Sequence, residues 1–208
     1  MKQRKTAKLL LLLGLIMSLT FALSFTSQAA SNKTKALKAY KKMLSQTTID
    51  RNGWPIKSKN CQFSIAYIDN DNVPELVLYN DQDVPHMGGY GTLFTYRKGK
   101  VQFVAEMNLD SSSLAGYYKK KGIYTTYYYQ GGESISYNKL SKGASSTVLS
   151  QSRRLIGLKM GPWSYTKNNT DITKKQFTKQ LKKYVGSKKI TKFKFYKNTA
   201  KNRKKYVY

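Results

Sequence analysis

Cysteine occurs once in this 208-residue chain, at Cys61, and histidine once, at His86. One thiol cannot close an internal disulfide, so the fold must be held by burial of apolar surface or by a bound ion. A lone histidine is also a poor basis for a zinc site, which draws on several nitrogen or sulfur ligands. That objection weighs against Asp81, Asp83 and His86 in the run NDQDVPH as a transition-metal set. A Cys61–His86 dyad is formally available, but a reactive thiolate needs a helix N-terminus or a fixed basic partner. Cys61 opens a strand pattern and reads as a small packed side chain. Acid is scarce as well: 10 Asp and Glu stand against 38 Lys and Arg, a formal charge of +28. No internal repeat, low-complexity linker or common nucleic-acid motif appears. Gly88-Gly89-Tyr90-Gly91 lacks the spacing that cradles phosphate.

Long apolar runs are confined to the N-terminus. Lys2, Arg4, Lys5 and Lys8 precede an apolar stretch from Leu9 to about Phe25, followed by Thr26-Ser27-Gln28-Ala29-Ala30. This is the pattern of a secretory signal peptide. Cleavage after Ala29 sets Ser27 and Ala29 at the two small-residue positions, so residues 1–29 are expected to leave and residues 30–208 to form one secreted domain. The membrane is then met only through the signal peptide before cleavage. Removing those four cations from the 38 leaves 34 against 10 acidic residues, +24. A field of that size gathers polyanions before any specific contact forms.

Spacing predicts a helix over 34–46, with Leu37, Tyr40, Met43 and Leu44 on one face. In the segment that follows, Asn52-Gly53 and Pro55 break regular structure, and Trp54 is expected to pack down as a lid on the core. Strands are expected at 63–68, 76–79, 92–97, 101–107, 115–119, 123–129 and 134–140, joined by turns too short for crossover helices. Thr173-Lys-Lys-Gln176 matches a capping box, after which Phe177, Leu181, Tyr184 and Val185 share a face, and Gly186 sits at the stop. A basic strand near 190–196 and a tail complete the chain. The fold class this implies is α+β, an antiparallel β-meander sheet packed by an N-terminal and a C-terminal helix.

The run Ile68-Asp-Asn-Asp-Asn-Val-Pro-Glu-Leu-Val-Leu-Tyr-Asn-Asp81 concentrates what little acid there is. Five of the ten acidic residues lie between Asp69 and Asp83, with no Lys or Arg among them. Like charge in a short turn is costly unless neutralised, and Ca²⁺ is the abundant extracellular hard cation. Asp69, Asp71 and Glu75 are the candidate ligands. A bare turn, in which Asx side chains cap backbone amides, explains the same residues without metal.

The segment Ala66–Leu78 resembles the strand-loop-strand motif of uncharacterised secreted Gram-positive proteins and is similar to calcium loops of the FG-GAP and VCBS type, Asp-x-Asp-Gly-Asp-Gly-x-Pro-Glu-Leu. Aligned on Pro74-Glu75-Leu76, Asp69 and Asp71 take the second and third aspartate positions, and Glu75 the closing carboxylate. Tyr67 stands where the first aspartate belongs, and Asn70 and Asn72 replace the glycines, so the site is expected to be weaker than the family pattern. The resemblance implies a secreted architecture and no particular activity.

Tyrosine is abundant, at 17 residues, and Tyr117, Tyr118, Tyr127, Tyr128 and Tyr129 are candidates for stacking on sugar faces. The same rings also suit a half-buried pleated sheet, and consecutive tyrosines must alternate between its faces. The functional expectation is a secreted, extracellular or cell-wall-associated, non-enzymatic domain that binds anionic cell-envelope polymers or glycans, calcium-stabilised at the acidic loop. The alternatives are a hydrolase using carboxylates among Asp69, Asp71, Glu75, Glu106 and Glu133, and a cationic membrane-active protein.

Overall fold

The computed structural model describes residues 31–80, 89–109, 115–129 and 131–208, and of Tyr129 only the backbone. The expectations for residues 1–29 and for Asp81, Asp83 and His86 lie outside these residues.

The first helix, α1, covers residues 31–44. Ala36, Leu37, Tyr40 and Leu44 recur three or four apart and are buried, while Lys35, Lys38, Lys41 and Lys42 face outward. A short ribbon follows, β1 (Thr48–Asp50) against β2 (Pro55–Lys57), pairing the buried Ile49 and Ile56. Its turn carries Asn52 and Gly53 at positive φ, with the Gly53 amide donating to Asp50 Oδ1 at 2.7 Å. Trp54 stands on this turn 72% exposed. The expected lid is therefore not formed, because the two isoleucines fill the inward positions of the ribbon.

The strands β3 (Gln62–Ala66), β4 (Glu75–Asn80), β5 (Gly89–Arg97) and β6 (Lys100–Leu109) pair in chain order, antiparallel. A second antiparallel sheet takes β7 (Gly116–Tyr118), β8 (Ile123–Tyr129), β9 (Gly132–Ser141), β10 (Ala144–Ile156), β12 (Ser164–Lys167) and β13 (Thr170–Asp171), with β11 (Lys159–Met160) folded back on β10. Next comes α2 (Lys174–Val185), whose capping box is complete: Gln176 N donates to Thr173 Oγ1, and Thr173 N to Gln176 Oε1. Gly186, at φ +63°, ends it.

The C-terminal segment then joins the two sheets. β14 (Thr191–Lys192) adds to the edge of β7, and β15 (Tyr196–Lys197) to the edge of β3. The expected tail is instead a helix, α3 (Ala200–Tyr206), followed by the buried Val207. Asn198 fastens this end down, since its Nδ2 donates to Leu44 O (2.8 Å) and Ser58 O (2.9 Å), and Arg203 donates to its Oδ1 (2.9 Å).

The expected class, one meander packed between an N-terminal and a C-terminal helix, is overturned. The chain is mostly β, with two large antiparallel sheets and three α-helices among the described residues. The helices do not enclose one sheet: α1 shares an apolar cluster with Phe63, Leu76, Leu78 and Phe94 of the first sheet, while Phe177 and Val185 of α2 join Tyr118, Ile123, Ile135 and Leu149 of the second. Between the sheets lies a third cluster, with Val77, Leu93 and Met107 facing Tyr124 and Leu140. Strand period two explains the division, because Leu76 and Leu78 point one way and Val77 the other. Burying each such side chain is worth roughly 1.5–3 kcal/mol, and β4, covered on both faces, is the centre of the fold. Among the described residues no helix is long and apolar enough to cross a membrane.

Candidate functional site

The acidic loop is the connection between β3 and β4, whose last paired rung is Ala66 with Glu75. Two Asx turns shape it: the Asp71 amide donates to Asp69 Oδ1 (3.1 Å), and the Val73 amide to Asp71 Oδ1 (2.8 Å). Asn72 takes the left-handed position, φ +63°. Neighbours hold the loop from outside. Lys120 N donates to Tyr67 O (2.9 Å) and Gly122 N to Ile68 O (2.7 Å), which locks the loop to the β7–β8 turn of the other sheet. The Tyr40 hydroxyl of α1 donates to Pro74 O at 2.9 Å. Helix and both sheets thus meet at this corner.

One carboxylate oxygen from each of Asp69, Asp71 and Glu75 lies within 4.8 Å of the others. Asp71 is exposed, Asp69 is 8% exposed, and Glu75 has no exposed surface. Glu75 Oε2 accepts from the Ile68 amide at 2.8 Å, whereas its buried Oε1 has no hydrogen-bond partner among the described residues. Burial raises the Asp69 carboxyl to about 6, helped by the neighbouring Asp71 carboxyl, while the Asp71 amide pulls the other way. Burial, then the charge of Asp69, pushes Glu75 well above the usual carboxylate range. The Tyr40 phenol is raised too, by burial first and then by these carboxylates. A buried carboxylate oxygen without a donor is costly. A hard cation would supply what is missing: a partner for that oxygen and a charge to offset its neighbours. The all-oxygen donor set could hold a hard cation on this ground, and the Asx turns occupy only one oxygen of each aspartate. As a catalytic pair the cluster is poorly disposed, since a substrate would meet Asp71 but not the enclosed Glu75.

Beside the corner lies a groove of about 470 Å³ along the C-terminal segment where it crosses from one sheet to the other. Five tyrosines, Tyr67, Tyr117, Tyr196, Tyr206 and Tyr208, line it with Lys33, Lys192 and Lys194, and no Asp or Glu does. Tyr196 and Tyr206 stack at 3.6 Å between ring centroids and 12° between planes. Tyr117 stacks on Phe193 at 5.2 Å. Lys120 bridges groove and corner, with its Nζ 2.5 Å from Asn72 Oδ1 and 5.9 Å from the Tyr67 ring centroid.

No family model, no curated protein and no solved structure matches this chain. The geometry alone therefore carries the functional argument.

Asp69, Asp71 and Glu75 are thus brought together. The five tyrosines singled out in the sequence are not: Tyr117 reaches the groove, Tyr118 and Tyr127 are buried in the cluster under α2, and Tyr128 borders a basin with Glu133 and Arg153. Of Tyr129 only the strand position is described. Cys61 is buried, and Glu133 is ion-paired to Arg153 at 2.6 Å. Sequence reading missed Tyr67, Tyr196, Tyr206, Tyr208 and the three lysines as groove residues. The alternation Lys192-Phe193-Lys194-Phe195-Tyr196 signalled that part of this segment faces inward, but nothing local indicates which strand it joins.

Proposed function

We propose that this chain is a secreted, non-enzymatic domain that binds anionic cell-envelope polymers in the tyrosine–lysine groove, with Ca²⁺ held at Asp69, Asp71 and Glu75 as a structural ion. The observation that carries the reading is the groove's lining, five tyrosines and three lysines with no Asp or Glu. Rings offer flat apolar faces to sugar or glycerol carbons, and ammonium groups meet phosphate or carboxylate; together they suit a polymer that alternates the two. The chain's surplus of cations supplies attraction at longer range, which salt screens. Calcium's part is to neutralise the corner from which Tyr67 enters the groove. The exported address rests on the signal-peptide pattern of residues 1–29.

The test is calorimetric titration of residues 30–208 with teichoic acid and with a neutral glycan, at low and physiological salt. Expected are binding to the anionic polymer only, weakening with salt, and about a hundredfold loss in the variant Lys192→Gln/Lys194→Gln/Tyr208→Ala, on the scale of about 1 kcal/mol for each of three weakened contacts. Undiminished binding by that variant would remove the groove from the account.

A further inference from the structure

The hairpin β10–β11 carries a feature the groove does not use. β10 is the longest strand among the described residues, and beyond its last rung with β9, Arg154 opposite Gly132, it runs on as Leu155 and Ile156. Leu155 pairs with Met160 and Ile156 with Lys159, leaving Gly157 and Leu158 as a two-residue turn with Gly157 at φ +62°. Leu155 is 45% exposed, Ile156 67% and Leu158 101%. Half of the six large exposed apolar residues described thus sit on one tip. Around it stand Arg154 and Lys159, both exposed. Arg153 lies just behind, its charge answered by Glu133 and its guanidinium 4.7 Å from the Trp163 ring.

We infer that this tip is a membrane anchor, a hairpin that inserts Ile156 and Leu158 into the interfacial region of an anionic lipid bilayer while Arg154 and Lys159 pair with headgroup phosphates. Leu155 and Ile156 project from opposite faces of the hairpin and Leu158 from its turn, so the tip is apolar on both sides with Arg154 and Lys159 beside it, and exposed apolar side chains grouped in this way mark an interaction site. Its shape selects the occupant. The tip is convex and only three apolar side chains wide, far short of the ~1,000 Å² that a specific protein interface requires. A bilayer needs no complementary pocket and accepts a small apolar wedge flanked by cations. Trp163 behind the tip is a residue type favoured at headgroup depth.

The experiment is flotation of residues 30–208, which carry every described residue, with phosphatidylglycerol/phosphatidylcholine vesicles and with pure phosphatidylcholine vesicles. The proposal expects binding to the anionic vesicles, a fall of about tenfold or more in Ile156→Ser/Leu158→Ser, and a smaller fall in Arg154→Gln/Lys159→Gln. All four positions are exposed, so circular dichroism and Tm should be unchanged. Because the groove's lysines could also attract anionic headgroups, insertion is read separately. An environment-sensitive dye on Leu158→Cys, in a Cys61→Ala background, should shift to the blue and be quenched by spin labels high on the acyl chains, and should do so equally with Lys192→Gln/Lys194→Gln. Equal binding to neutral vesicles, serine variants that bind like the parent, a dye that stays in water, or oligomerisation through the tip without lipid would each overturn the inference.

Discussion

Replacing Glu75 by glutamine separates a metal corner from a bare acidic turn. Glu75 has no exposed surface, its Oε2 holds the Ile68 amide, and its Oε1 lacks a donor. Glutamine keeps the shape and can keep the Ile68 bond, so without metal it stands in for the protonated acid that burial already favours. In EDTA the variant should therefore match the parent or exceed it by up to about 2 kcal/mol, the scale of relieving an unsatisfied buried group. With calcium the order reverses. At a hundred times its Kd the ion should stabilise the parent by about 2.7 kcal/mol, or roughly 5–11 °C in Tm for a domain of this size. Glu75→Gln should lose nearly all of that shift. Differential scanning fluorimetry of both proteins, in EDTA and across a calcium series, reads the result. A parent indifferent to calcium refutes the metal, and a variant several degrees below the parent in EDTA refutes the account of Glu75 as a strained, donor-poor carboxylate.

The same corner sets a pH dependence. Asp69 titrates at about 6 in the fold against 3.8 for the free group, and Glu75 is raised as well, so between about 4 and 6 the folded state binds more protons than the unfolded one. Stability of the metal-free chain should fall as pH rises through that window, and saturating calcium should flatten or reverse the slope in Tm measured from pH 4 to 7. Asn198→Ala removes the bonds to Leu44, Ser58 and Arg203, leaving Ser58 O with the Cys61 amide and Leu44 O with only a long contact from Arg203; urea unfolding should show a loss of roughly 1–3 kcal/mol. Thr173→Ala breaks the cap of α2 and should cost about 1 kcal/mol by the same assay.

Local signals in the sequence were the legible ones. Thr173 and Gln176 announce a helix start because a capping box is complete within four residues. The first sheet shows itself because β4 is apolar on both faces and its neighbours end in turn residues. The strand β10 went unread: ASSTVLSQSRRLI is rich in serine and buries little, so its period is faint, and it is held by pairing with β9 and β12 rather than by its own apolar face. Without β10, β12 and β13 a second sheet could not be inferred, and the chain reads as one meander between helices. Asp69, Asp71 and Glu75 could be found because a short loop fixes their neighbourhood. The groove could not, since its tyrosines come from the start of the acidic loop, β7, β15, α3 and the last residue, and long-range pairing alone collects them. Consecutive tyrosines misled for the converse reason: Tyr117 and Tyr118 are adjacent in sequence and lie on opposite faces of one strand.

The most direct test of the central claim is an NMR titration of isotope-labelled residues 30–208 with a short polyglycerol phosphate in calcium-containing buffer. The account predicts saturable shifts concentrated at Ser64–Tyr67, Tyr117, Thr191–Tyr196 and Tyr206–Tyr208, with the tyrosine ring signals among the largest. Weak, unsaturable shifts spread over the lysine-rich surface, sparing those rings, would contradict it and reduce the interaction to charge alone.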